Sequence, residues 1–269
     1  IMRKILVLLI TVVFIGCSKE DTPSGEKVDE NGFSNPLYLD SNGVTIKSYE
    51  WGEVGDTGEV NGINYTIVSE EQLRDMISNN EDLSKVCTSK IYDFERLFVD
   101  YEDYDWVIYE VNGDISNWDV SNVTSMNLMF YHSNFNGDIS NWDVSNVTDM
   151  SGMFQGSLFN GDISNWDVSK VYLINCMFCL SQFNGDASNW DVSSVTYMDN
   201  MFNSSQFTGD ISNWDVSSVT NMTQMFWNSV FNQDLSNWNV NNVTECSSFS
   251  RYNTKWTLPK PNFTNCDTN

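Results

Sequence analysis

The side chains with chemical potential in this 269-residue chain are few in kind and regular in spacing: one histidine, six cysteines, and 37 acids against 13 Lys plus Arg. His132 is alone, so no histidine pair can hold a metal or relay a proton. It falls at a position filled elsewhere by Gly156, Leu180, Ser204 and Asn228, which marks an exposed surface residue. The acids recur in register. Asp119, Asp143, Asp167, Asp191 and Asp215 form one column, and Asp114, Asp138, Asp162, Asp186, Asp210 and Asp234 form a second. Acids repeated in identical surroundings do not make the unequal pair that acid–base catalysis needs, so no catalytic residue is assigned and the chain is not expected to be an enzyme. Such columns suit Asx turns, in which a carboxylate accepts a backbone N–H two residues on. The alternative for Asp119, Asp143, Asp167, Asp191 and Asp215 is a row of calcium ligands, since oxygen donors suit that hard cation. The glycine-rich nonapeptide of calcium-binding repeats is missing, so no cofactor is expected.

The cysteines divide three ways. Cys17 follows an apolar run, Cys176 and Cys179 have C-x-x-C spacing, and Cys246 and Cys266 bracket the C-terminal segment. No second C-x-x-C completes a zinc site, so Cys176 and Cys179 read as incidental thiols. A bond between Cys246 and Cys266 would pin residues 251–269 over the last repeat in an oxidising compartment.

These residues are positioned by a repeat. Trp118, Trp142, Trp166, Trp190, Trp214 and Trp238 are each 24 residues apart, as are Phe130, Phe154, Phe178, Phe202 and Phe226. A fixed period of this size predicts a solenoid, because one repeat cannot shield its apolar face alone. Within a repeat the apolar residues are Ile139, Trp142, Val144, Val147, Met150, Met153, Phe154 and Phe159. Trp142 and Val144 are expected on a short parallel strand. Val147, Met150, Met153 and Phe154 are expected on a short helical arc capped by Ser145. The predicted fold is therefore an α/β repeat solenoid of right-handed coils similar to leucine-rich repeats. Ile139-x-x-Trp142-x-Val144-x-x-Val147 follows that frame, with Val147 in place of its Asn.

The expected organisation is a signal peptide over 1–16, a lipidated tether over 17–36, and a β/α capping module over 37–110 that includes a degenerate first coil. Six 24-residue repeats follow over 111–250, and a C-terminal cap over 251–269. Arg3 and Lys4 before the apolar stretch Ile5–Ile15 have the layout of a secretory signal. FIGC at residues 14–17 resembles a bacterial lipobox, which implies lipid on Cys17 and a membrane contact through that lipid only. Ser18, Lys19, Glu20 and Asp21 resemble the signal that places some lipoproteins on the outer face of the outer membrane. In the capping module, Ser69 and Gln72 have capping-box spacing before the stripe Leu73, Met76 and Ile77.

The repeat N-G-D-I-S-N-W-D-V-S-N-V-T-x-M-x-x-M-F is similar to that of the BspA-like leucine-rich-repeat surface proteins, as are NGVTIK, VGDTG and VCTSKI at residues 42–47, 54–58 and 86–91. The resemblance implies a cell-surface lipoprotein of bacteria with roles in adhesion and protein binding. The residues add that a net charge of −24 disfavours nucleic acid. Positions 127, 128, 131, 132 and 134 vary between repeats, and among them Tyr131 and Trp227 are the candidate anchors for a host or bacterial surface protein. The uniform columns suit a repetitive polysaccharide, and a structural spacer on the cell surface is the further alternative.

Overall fold

A computed structural model describes residues 27–102 and 105–269; the expected signal peptide and Cys17 lie outside them. The described residues divide into two units, 27–34 belonging to the first and 35–269 forming the second. In the described part of the first, the Asp29 carboxylate accepts the backbone N–H groups of Asn31 and Phe33, closing a turn.

The second unit opens with small sheets. Strands β1 (Leu37–Leu39) and β2 (Ile46–Ser48) pair antiparallel. Strands β3 (Thr57–Val60) and β4 (Ile63–Ile67) form a hairpin whose turn, Asn61-Gly62, takes positive φ at both residues, the geometry that matches strand twist. Helix α1, Glu70–Ser78, follows. The Ser69 hydroxyl accepts from the Gln72 N–H while the Gln72 side chain accepts from the Ser69 N–H, and Leu73 and Ile77 are buried. Strand β5 (Val86–Cys87) joins β4 in parallel, and β6 (Val99–Glu102) pairs with β7 (Asp105–Ile108). No helix among the described residues is long and apolar enough to cross a membrane.

The α/β solenoid of leucine-rich-repeat type is not what forms. α1 is the only helix among the described residues, the strands belong to small antiparallel and mixed sheets, and 111–250 contains neither helix nor strand. The repeats are series of turns. In one of them, i→i+3 bonds run from Trp142 N to Ile139 O, Val147 N to Val144 O, Met153 N to Met150 O and Ser157 N to Phe154 O. Each such turn is bracketed by inward residues, so the spacings of three and one that suit a helix are satisfied by consecutive turns. A helix is blocked because residues 128, 132, 152 and 156, and their equivalents, take left-handed φ every fourth position. Alternate N–H groups along this arc, those of the left-handed residues included, bond outward to the following repeat: Met150 to Leu173 O, Gly152 to Asn175 O, Phe154 to Met177 O and Gly156 to Cys179 O, at 2.8–3.0 Å. Ser145 caps no helix, because none follows it; its own N–H donates to Asp143 in a local turn. Parallel pairing does not occur at Trp142 and Val144; it is a single bridge per repeat, from Ser125 to Asp149, Leu173, Tyr197, Asn221 and Glu245.

The eight apolar positions of this repeat are all buried. Their rings stack at the 24-residue step: Trp190 on Trp214 at 6.4 Å, Phe154 on Phe178 at 5.8 Å and Phe159 on Phe183 at 6.4 Å. From Trp142 to Trp238 each indole N–H donates to a carbonyl 27 residues earlier, as in Trp166 to Ile139 and Trp190 to Ile163, while that of Trp118 donates to Leu83 O in the N-terminal module. Burying the tryptophans thereby leaves no donor unpaired along this column.

Candidate interaction surface

Two faces of the repeats differ in how neighbouring layers are joined. On the arc described above, backbone N–H groups reach the next layer. On the acidic face they are used locally: Asp138 accepts from Ser140 N, Asp143 from Ser145 N, and the pattern recurs through Asp162, Asp167, Asp186, Asp191, Asp210, Asp215 and Asp234. With those donors consumed, side chains bridge the layers instead. Asn146 Nδ2 donates to Ser121 O, and Asn136 Oδ1 and Asn160 Oδ1 accept from the N–H of residues 160 and 184. The turn bonds hold the carboxyls of Asp138, Asp162, Asp186 and Asp210 below the ordinary aspartate value; the Ser N–H is the larger cause, the Ser side chain the next, and burial opposes weakly.

The column considered for calcium is not uniform. Asp143, Asp167, Asp191 and Asp215 are exposed, whereas Asp119 is 4% exposed, sealed beneath the N-terminal strands. There it accepts from the hydroxyls of Ser89 and Ser121. Burial works against the charge of Lys47, but the Asp119 and Asp40 carboxylates outweigh it and raise the Lys47 pKa; the Lys47 Nζ lies 3.2 Å from Asp40. Asp119 is thus a docking group between β2 and the first full layer, reinforced by Ile46 N donating to Asn117 O. Among the described residues, no group of three or more His, Cys, Asp or Glu is arranged to hold a metal ion.

Tyr131 and Trp227 occupy the same repeat position on the arc, and each is held by a partner from outside its own layer. The Tyr131 ring lies 5.0 Å from Trp106 of β7 and 4.4 Å from His132, and Trp106 lies 5.1 Å from Tyr101 of β6. The His132 ring rests against Gly156, where a Cβ would collide with it. Trp227 meets Tyr252 edge-on at 5.5 Å, and the Arg251 guanidinium lies 4.9 Å over that ring. Trp106 and Tyr252 are exposed members that comparison of the six copies does not reach: Trp106 lies outside the repeats, and Tyr252, in register with His132, falls just past residue 250. Their signal is only that of aromatic residues in charged surroundings, DYEDYDW and SRYN.

Cys246 and Cys266 are joined as a disulfide, with Cα atoms 5.8 Å apart. The tail it fastens covers the last layer. Asn253 Nδ2 donates to Ser229 Oγ and Phe231 O, and its Oδ1 accepts from Lys255 N and Trp256 N. Trp256 then lies edge-on across Phe226 and Phe231 at 5.1 and 5.0 Å. Cys87, Cys176 and Cys179 are free thiols. An open groove of about 630 Å³ runs between α1 and residues 93–100, with Arg74 and Arg96 on its wall. Both are engaged: Arg74 pairs with Glu70 and donates to Glu95 O, and Arg96 lies 3.8 Å from the Glu95 carboxylate.

These features define a repeat protein of turn-built layers with an invariant interior and a varied aromatic arc. The chain belongs to the family described as Mycoplasma protein of unknown function, DUF285, which matches residues 68–179, 106–204 and 158–258, together more than half of its length. No curated protein and no solved structure matches it.

Proposed function

We propose that this protein is a non-catalytic binding module displayed on the bacterial cell surface, where it acts in adhesion. The observation that carries the proposal is the division of labour between positions. The interior and the acidic face barely change from layer to layer, while the arc varies and carries aromatic groups at both ends, around Tyr131 and Trp227. Aromatic side chains of this kind, rigid and amphipathic, are the usual anchors of a protein interface. The partner class is a surface protein of the host or of another bacterium; nucleic acid is disfavoured by the charge of −24. The lipobox-like FIGC supports a lipid anchor at Cys17 in the outer membrane, and the repeat wording supports a relationship to the BspA-like surface lipoproteins.

The test is saturable binding of fluorescently labelled protein to cell and matrix surfaces, comparing wild type with the double variant Tyr131→Ala, Trp227→Ala. A drop in affinity of tenfold or more, with unchanged circular dichroism, is expected. Equal binding by the variant refutes this reading of the arc. The regular Asn and Asp columns favour a second reading, a periodic polysaccharide lying along the acidic face; binding of polymer that survives the double variant would select it.

A further inference from the structure

We propose that Cys176 and Cys179 form an oxidisable dithiol that closes to a disulfide within a single turn when it meets a disulfide-bearing reagent, without opening the layer that holds it. Four observations carry this. Cys179 N donates to Cys176 O at 3.1 Å, and a turn closed in this way keeps its end Cα atoms within about 7 Å, a range that overlaps the span of a disulfide. The two thiols are also close enough to shift each other's pKa, in opposite directions. The backbone on either side is fixed independently, by Cys176 N to Asp199 O at 2.9 Å and Gly156 N to Cys179 O at 2.8 Å, so the turn is held by neighbouring layers whatever its two sulfurs do. Finally, neither sulfur is required by the repeat. The first position is filled elsewhere by Leu128, Gly152, Asn200, Gln224 and Ser248, the second by Tyr131, Gln155, Asn203, Trp227 and Arg251.

The contact also divides the labour between the thiols. The hydrogen bond from Cys176 holds the Cys179 thiol below the ordinary cysteine range, against a weaker opposing effect of burial, while the same bond and then burial push Cys176 well above it. Cys179 is the more acidic thiol but also the buried one, whereas Cys176 is half-buried, so the attack by Cys179 follows rotation of its side chain toward the surface. The Cys179 thiolate attacks one sulfur of the reagent RS–SR; the S–S bond breaks and RS⁻ leaves, taking the proton that Cys179 released. Cys176 then gives up its own proton, and its sulfur attacks the Cys179 sulfur. The new Sγ–Sγ bond expels the second RS⁻, which takes that proton. Two electrons pass from the chain to the reagent, which departs as two thiols. Cys87, the remaining free thiol, is completely enclosed with its sulfur against Ile46 O and Ser89 Oγ, and burial raises its pKa, so it supplies an internal control.

The experiment equilibrates the full chain in buffers of graded oxidised to reduced glutathione. Samples are quenched in acid, labelled with N-ethylmaleimide and read by peptide mass spectrometry. The labels on Cys176 and Cys179 are expected to disappear together as one two-electron couple, with the near-ultraviolet circular dichroism unchanged and Cys87 labelled only after denaturation. In Cys176→Ser, Cys179 should stop at a single glutathione adduct, because the resolving sulfur is gone. Phenylarsine oxide, which bridges two sulfurs, should protect both sites in the wild type and be lost in either single serine variant. The proposal is overturned if both thiols remain free across buffers in which Cys246–Cys266 stays formed, if the wild type carries two separate glutathiones, or if closure occurs only in denatured chain.

Discussion

Replacing Trp190 by Phe removes one indole N–H from the column that links successive layers. That N–H donates to Ile163 O at 3.0 Å, and the same carbonyl also accepts from Trp166 N. The acceptor is therefore not orphaned, and the lost bond is worth about 0.5–1.5 kcal/mol. Exchanging indole for phenyl also deletes two buried carbons, at about 0.8 kcal/mol each. The expected loss is about 2–3 kcal/mol. Trp256 supplies the control within the same molecule: it is equally buried in aromatic contacts, yet its Nε1 has no partner among protein atoms. Trp256→Phe forfeits the same carbon area, but it also removes an unpaired buried donor whose desolvation cost is about 1–3 kcal/mol, so the two effects nearly cancel. Guanidinium chloride unfolding followed by circular dichroism, with equal slopes required for the comparison, gives both values. If Trp256→Phe costs as much as Trp190→Phe, the indole–carbonyl bonds are not what join the layers and the reasoning fails.

Further outcomes follow from the same geometry. Reducing Cys246–Cys266, which closes a loop of sequence separation 20, should lower stability by about 3 kcal/mol on the loop-entropy account; unfolding curves with and without reductant measure it. The depressed carboxyls of Asp138, Asp162, Asp167, Asp186, Asp210, Asp215 and Asp234 contribute stability above the ordinary aspartate value of 3.8 and lose it as pH falls through their lower folded values. Thermal melts should therefore drop steeply below about pH 4, and a flat acid limb would contradict the turn bonds. Millimolar calcium should leave the melting temperature unchanged, because one oxygen of each aspartate is already committed to its own turn; a large rise reversed by chelator would overturn that.

The interior was readable from residue types, since the apolar positions of the 24-residue period are the buried ones and the aspartates close the Asx turns their spacing suggests. The local backbone was not. Val147, Met150, Met153 and Phe154 have spacings shared by a helix and by consecutive turns, and only Gly152 and Gly156, four apart, hint at the left-handed residues that exclude a helix. The hairpin β6–β7 was hidden because DYEDYDW lacks alternation of apolar and polar residues. Tyr131 and Trp227 stood out by differing from other copies, but Trp106 belongs to a segment present once, and Tyr252, although in register with His132, lies just beyond the sixth copy.

Internal layers meet the same apolar chemistry above and below: a carbonyl waiting for an indole, rings ready to stack. Removing or duplicating one 24-residue unit would thus leave each junction as it was. A chain one unit longer or shorter should therefore still fold, with the distance between its two aromatic ends changed by one layer. Only the termini, where Leu83 meets Trp118 and Asn253 meets Ser229, are made to fit once.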